Sequence, residues 1–223
     1  MKANQTTETK AQIFELVSNI ASTIGSPARL KILFILAQAP RSVDAISRIT
    51  GESVANTSQH LQRLLNERLV LVRKDKLSRI YRLSDPLIAL LVENLFDLAE
   101  KVSPELANLE SCMVDDKIGK PIALQSVIEE IRNKKAVMVD VREEYEATES
   151  PIEGAISLPL DKIRDRVKSL AKSKTYYIFC RGRACEMATE GVKILRSMGF
   201  KAFRLRESSA SISHKVNSSN EQS

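Results

Sequence analysis

The stretch SVDAISRITGESVANTSQHLQRLLNERLVLVRKDKLSRIYRL, residues 42–83, decides the fold of the first half of the chain. Val43, Ala45, Ile46 and Ile49 recur at helical spacing, Gly51 breaks the pattern, and a second helix follows from Ser53 to about Asn66. The second helix places Val54, Leu61, Leu64 and Leu65 on an apolar face. That leaves Ser53, Asn56, Thr57, Gln59, His60 and Arg63 opposite or flanking it. Short hydrogen-bonding side chains with one arginine on an outward face are what base edges and phosphates require. Two β-prone runs come next, Leu69 to Arg73 and Ile80 to Leu83, around the polar tip Lys74-Asp75-Lys76-Leu77-Ser78. A hairpin carrying Arg73, Lys74, Lys76 and Arg79 near its tip suits a wing laid on the phosphate backbone.

Working outward, Lys10 to Ile24 carries Ile13, Phe14, Val17, Ile20, Ala21 and Ile24 at helical spacing, after a loose arm of about nine residues. Ser26 and Pro27 read as cap and first-turn proline of the next helix. On the other side, Ser84-Asp85-Pro86 opens a helix from Leu87 to about Val102 whose apolar face is broader than one small domain buries. Two such terminal helices predict a symmetric homodimer that presents two recognition helices to successive major grooves. Three segments, GSPARLKIL at 25–33, SVANTSQHL at 53–61 and RIYRL at 79–83, resemble the ArsR-type winged-helix repressors over roughly residues 11 to 102. The resemblance implies operator DNA as partner and pairing through the terminal helices.

The full chain has 223 residues, enough for two domains of about 100 residues each. Lys and Arg number 34 against 28 Asp and Glu, so the net charge of +6 favours an acidic polymer as partner. No apolar run approaches the ~20 residues of a membrane span, and the first ten residues are polar, which predicts a cytoplasmic protein without a membrane partner. The three cysteines, Cys112, Cys180 and Cys185, are too few and too unevenly placed for a secreted disulfide framework. The recognition motif holds no Cys-x-Cys pair, so neither a metal site nor another cofactor is expected.

Residues 103–120 read as a linker with a helical piece around Glu105 to Met113. A second domain is expected over 121–206. Helices are predicted at 123–131, 160–170 and 186–198, and strands at 136–141, 156–158, 175–179 and 200–205. Strands alternating with helices argue for an α/β domain with a mainly parallel sheet, following the mainly α winged helix-turn-helix domain. The Ser- and Asn-rich segment 207–223 is expected to be a disordered tail.

In such a sheet ligands sit at the carboxyl ends of strands, where Cys180 ends the run TYYIF. The loop Cys180-Arg181-Gly182-Arg183-Ala184-Cys185 leads into the next helix, with two arginines to supply positive field and favour a thiolate on Cys180. The only histidines are His60 and His214, so a Cys-His hydrolase is poorly supported. Asp140-Val141-Arg142, Gly154-Ala155 with Leu158-Pro159-Leu160, and Tyr177 to Gly182 together resemble a rhodanese domain over about residues 121 to 206.

That resemblance implies a persulfide carried on Cys180 and a sulfane-sulfur donor, of the thiosulfate or polysulfide kind, as partner. It departs from the family at Cys185, which stands where the loop usually ends in Arg, and at the closing Gly…Trp segment, which this chain lacks. Glu186 in the position of a phosphatase arginine would repel phosphate, which excludes that class. The Cys-Arg-Gly…Cys loop is similar to that of proteins joining an ArsR-type domain to a rhodanese domain in this order. Three readings stay open: a regulator sensing sulfane sulfur, a sulfurtransferase with an auxiliary DNA-binding domain, and an interaction module.

Overall fold

The computed structural model describes residues 2–76, 78–112, 118–119 and 121–220, and the side chains among them from residue 8 to 215. Two compact units result, Met1–Val92 and Glu93–Ser223. The first runs through α1 (Lys2–Ile24), α2 (Pro27–Leu36), β1 (Arg41–Ser42), α3 (Val43–Thr50), α4 (Val54–Asn66), β2 (Val70–Asp75) and β3 (Ser78–Leu83), and ends within α5 (Leu87–Val102). Its core is Ile32 and Leu33 of α2, Ile46 of α3, and Leu61 and Leu64 of α4, all of them buried.

Local chemistry sets each boundary in this unit. Arg29 is buried and donates through Nη2 to Ser22 O at 3.2 Å and through Nε to Thr23 O, which satisfies the last carbonyls of α1 and turns the chain into α2. Ser42 accepts from Ala45 N at 3.2 Å and caps α3. Gly51, at φ 76°, ends α3 in the left-handed conformation that a side chain would strain. Ser53 then accepts from Asn56 N at 3.1 Å and opens α4. The antiparallel sheet has the order β1-β3-β2, and β2 and β3 stay in register from Val70↔Leu83 out to Asp75↔Ser78. The hairpin is therefore longer than the sequence reading placed it, and Leu77 of its tip lies outside the described residues.

The second unit takes in the rest of α5 and α6 (Pro104–Cys112), which covers the expected helical piece up to the undescribed Met113. It continues through α7 (Ile128–Arg132), β4 (Ala136–Asp140), α8 (Glu144–Glu149), β5 (Ala155–Ser157), α9 (Ile163–Arg166), β6 (Thr175–Phe179), α10 (Met187–Ser197), β7 (Lys201–Arg204) and α11 (Ser209–Asn220). All neighbours in the four-stranded sheet are parallel, in the order β5-β4-β6-β7. Side chains alternate along the inner strands. Val139, Tyr176 and Ile178 pack with Val192 and Leu195 of α10 on one face, whereas Met138, Tyr177 and Phe179 pack with Leu124, Val127 and Ile212 on the other. A Cβ on Gly191 would lie 3.2 Å from Val141 Cγ1 and 3.3 Å from Ile178 Cγ2, so glycine lets α10 approach the sheet closely.

Two segments differ from the sequence reading. The helix expected over 160–170 is a chain of short turns around α9, in which Ile163 and Val167 are buried and Leu160 and Leu170 pack partly buried against the same core. The tail expected to be disordered forms α11 instead. Its polar composition hides one fully buried anchor, Ile212, and the buried carboxylate of Glu207 accepts from Leu124 N at 2.9 Å and is paired with Lys215 at 3.2 Å. Residues 221–223 lie outside the described chain. Ile212→Ala should lower stability by about 2–5 kcal/mol through the cavity it leaves. Urea unfolding followed by circular dichroism reads this, and an unchanged midpoint would show α11 to be no part of the fold.

Candidate functional site

On the first unit, α4 sorts its side chains differently from the sequence expectation. Thr57 is fully buried, in line with Leu61 and Leu64 at the i, i+4, i+7 positions that face the core, so it cannot contact DNA. Val54, expected inside, is 46% exposed at the helix start. Ser53, Asn56, Gln59 and Arg63 are exposed, and His60 is half-buried at their edge. Asn56, Gln59 and Arg63 follow one another at spacings of three and four along one outer row.

The wing's Arg73, Lys74, Lys76 and Arg79 are all exposed. Lys74 sits directly opposite Arg79 in the ladder. Like charges in that position repel, and a polyanion laid on the hairpin relieves the repulsion.

On the second unit, the ends of β4, β6 and β7 share one edge of the sheet, where parallel sheets bind ligands. Asp140 and Arg142, both buried, form a bidentate pair there. Arg142 Nη2 donates to Asp140 Oδ2 at 2.7 Å and to Ser150 O at 2.9 Å, holding the end of β4 to the end of α8.

The loop from Cys180 to Cys185 lies beside this pair. Gly182, at φ 118°, takes a backbone conformation that other residues rarely adopt. Arg204, at the end of β7, is buried, and its Nη2 faces the carbonyls of Cys185 (3.2 Å), Arg183 (3.3 Å) and Gly182 (3.5 Å) while Nη1 donates to Thr189 Oγ1 at 2.9 Å. The sequence reading missed this residue. Its signal was a charge inside the last apolar strand, which must find acceptors if it is buried.

Both thiols are buried and unoxidised, Cys180 at 2% and Cys185 at 7% exposure. Cys180 Sγ lies 3.6 Å from Cys185 O and 4.0 Å from Gly182 O. Burial pushes the Cys180 thiol well up, and the neighbouring Cys185 adds to the shift, against backbone hydrogen bonds from Gly182 and Ala188. Cys185 moves the other way, down to about 6. The hydrogen bond from Cys180 is the leading cause, burial opposes it, and backbone hydrogen bonds from Arg181 and Met187 and the charge of Arg181 reinforce it. At neutral pH the two sulfurs share one proton and one negative charge as a pair.

The two loop arginines are not spare cations. Arg181 pairs with the fully buried Glu146 at 2.9 Å and with Glu143 at 2.8 Å. Arg183, only 7% exposed, meets Glu100 at 2.8 Å, Glu110 at 3.4 Å and also Asp97, all within the second unit. Arg206 joins the same Glu100. Ala184 is exposed between them. Among the described residues both loop arginines are thus committed to carboxylates, and the thiol pair rather than an arginine cradle is the chemical asset of the loop.

The chain matches the model of the bacterial regulatory protein arsR family over residues 26–71 and that of rhodanese-like domains over residues 123–214. An HTH-type transcriptional regulator of Mycobacterium tuberculosis is 32% identical over 201 residues, covering 88% of this chain and 86% of the relative. The solution structure of a homodimeric winged helix-turn-helix DNA-binding domain from Mycobacterium bovis, a possible ArsR-family regulator, is 30% identical and covers 41% of this chain and 85% of its own, at a TM-score of 0.39. A rhodanese-related protein from Thermoplasma volcanium is 23% identical over 43% of this chain and 92% of its own, at a TM-score of 0.37.

Arg63→Ala should weaken binding to a DNA site selected from random sequence by about 1–3 kcal/mol while leaving nonspecific binding nearly intact. Lys76→Ala should weaken both and lower the salt slope by about one. Fluorescence anisotropy over a salt series separates the two, and an equal fall in salt slope for both variants would make Arg63 a phosphate contact only.

Proposed function

The chain belongs to the ArsR-type helix-turn-helix transcriptional regulators joined to a rhodanese-like domain, and from that premise we propose that it acts in the cytoplasm as a homodimer whose hold on operator DNA answers to sulfane sulfur. Sulfur arrives at the loop as a persulfide on Cys180. Carrying this reading is the ion-pair cluster on Arg183, because two of its carboxylates, Asp97 and Glu100, belong to α5, the helix that starts in the DNA-binding unit at Leu87. A change of charge or shape in the loop reaches that helix through one buried guanidinium. A tenfold change in operator affinity needs only about 1.4 kcal/mol of such coupling.

The donor in this reading is a sulfane-sulfur compound of the thiosulfate or polysulfide kind. Sulfur transfer as a sulfurtransferase activity is the second reading, favoured by the match of residues 123–214 to rhodanese-like domains.

Dimerisation is supported by α1, where Ile13, Phe14, Leu16, Val17 and Ile20 are 40–74% exposed, and by Leu87 and Leu91 of α5, also exposed. So much aliphatic and aromatic surface on two helices calls for a second copy to cover it. Leu91→Asp should place an unpaired charge in that interface and shift sedimentation from dimer to monomer. A monomeric unaltered protein at micromolar concentration would exclude the homodimer.

Treatment with inorganic polysulfide should change the affinity of the unaltered protein for its selected site at least tenfold and leave Cys180→Ser unresponsive, while the untreated variant still binds. A full response in Cys180→Ser would place the input elsewhere. Catalytic sulfur turnover without any effect on DNA would favour the sulfurtransferase.

A further inference from the structure

We propose that Cys185 is a second reacting residue of the loop, which closes on Cys180 once sulfur has been delivered and leaves a Cys180–Cys185 disulfide with release of hydrosulfide. The inference rests on the reading of Cys180 as sulfur acceptor and deepens it. Four features of the loop carry it. Cys180 Sγ lies 3.6 Å from the carbonyl oxygen of Cys185, both thiols are free, and both are buried away from competing solutes. Arg204 holds the carbonyls of Gly182, Arg183 and Cys185, so the second sulfur is kept against the first.

The chemistry balances without a further oxidant. Cys180 Sγ attacks the outer sulfur of a persulfide or polysulfide donor as the thiolate, with the one proton of the pair on Cys185. The new bond joins Cys180 Sγ to the transferred sulfur. The donor's own S–S bond breaks, and its electron pair leaves on the donor thiolate. Cys185 Sγ then attacks Cys180 Sγ. The bond to the outer sulfur breaks with its electron pair on that sulfur, which takes the Cys185 proton and departs as HS⁻. The outer sulfur is reduced to sulfide, and the two cysteines are oxidised to the disulfide. Cys185 Sγ thus holds the proton of the pair during the first step and gives it up as it attacks in the second.

The product differs in kind from a stored persulfide, since it leaves no anion in the loop and lasts after the donor has gone. It also removes the Cys185 thiolate beside Arg181, whose remaining partners include Glu143 and Glu146.

The test uses the full chain with the exposed Cys112 replaced by serine, so that links between chains do not form. Sodium tetrasulfide is added, excess donor is removed, and the protein is read by intact mass, by peptide mapping and by release of hydrosulfide during a following chase. Expected is a product lighter by two hydrogens whose cross-link maps to Cys180 and Cys185, with one hydrosulfide released per chain in the chase. Cys185→Ser should instead retain one added sulfur on Cys180, and Cys185→Ala should do the same if serine disturbs the loop. A persulfide that persists on Cys180 in the unaltered loop, with no cross-link, overturns the inference while leaving the sulfur-acceptor reading intact. Failure of both the unaltered loop and the Cys185 variants to take up sulfur overturns both.

Discussion

The buried guanidinium of Arg204 holds the cysteine loop together. A charge removed from water must be met by acceptors, and here the acceptors are three carbonyls of the loop and the hydroxyl of Thr189 on α10. One side chain from the last strand therefore fixes the loop that leaves the neighbouring strand. It also joins that loop to the helix the loop leads into. In a trans peptide the N–H opposes the carbonyl, so turning these carbonyls toward Arg204 turns the N–H groups that follow them away from it. The sulfur atoms draw on other N–H groups, those of Arg181, Gly182, Met187 and Ala188, at the two ends of the loop.

Charge around the loop is arranged in pairs rather than as a bare positive field. Arg181 is committed to α8 through Glu143 and Glu146, and Arg183 to the carboxylates of α5 and α6. An arginine so paired cannot also serve as an open anion cradle without breaking its bonds, and with a buried partner that costs several kcal/mol. The negative charge of the thiol pair is consequently stabilised by backbone N–H groups at the ends of the loop as well as by the charge of Arg181. The same commitment makes Arg183 a mechanical link, since any movement of the loop has to move or break its bonds to α5.

The first unit is built on an unequal division of surfaces. α4 buries Thr57, Leu61 and Leu64 and keeps Asn56, Gln59 and Arg63 outside, while α1 exposes nearly its whole apolar stripe. The short caps at Ser42 and Ser53 and the left-handed Gly51 hold α3 and α4 at a fixed angle, so the outward row of α4 is presented by a rigid corner. Opposed Lys74 and Arg79 load the wing with repulsion that an acidic polymer lowers. The outward polar row and the exposed cations of the hairpin are thereby supplied by separate elements of one small unit.

Elements whose signal is local were legible in the sequence. Helix spacing, Gly51 and the continuous apolar run 175–179 depend on neighbours within a few residues, and each appears in the fold where its pattern lies, whereas Ser26 makes no side-chain cap bond and Asp85 caps α5. The position of Cys180 at the end of a buried parallel strand was legible for the same reason. Tertiary structure alone decided what depends on contacts distant in sequence. Thr57 and Val54 exchanged their expected faces because the packing of α2 and α3, not the polarity of α4, sets which side is covered. The polar tail became α11 because one isoleucine and one glutamate find partners more than 80 residues away, which composition does not reveal. The thiols came to act as one coupled pair because burial, hydrogen-bond donors and the commitment of both arginines are properties of the assembled loop, whereas the order of residues states only that two thiols and two cations are near.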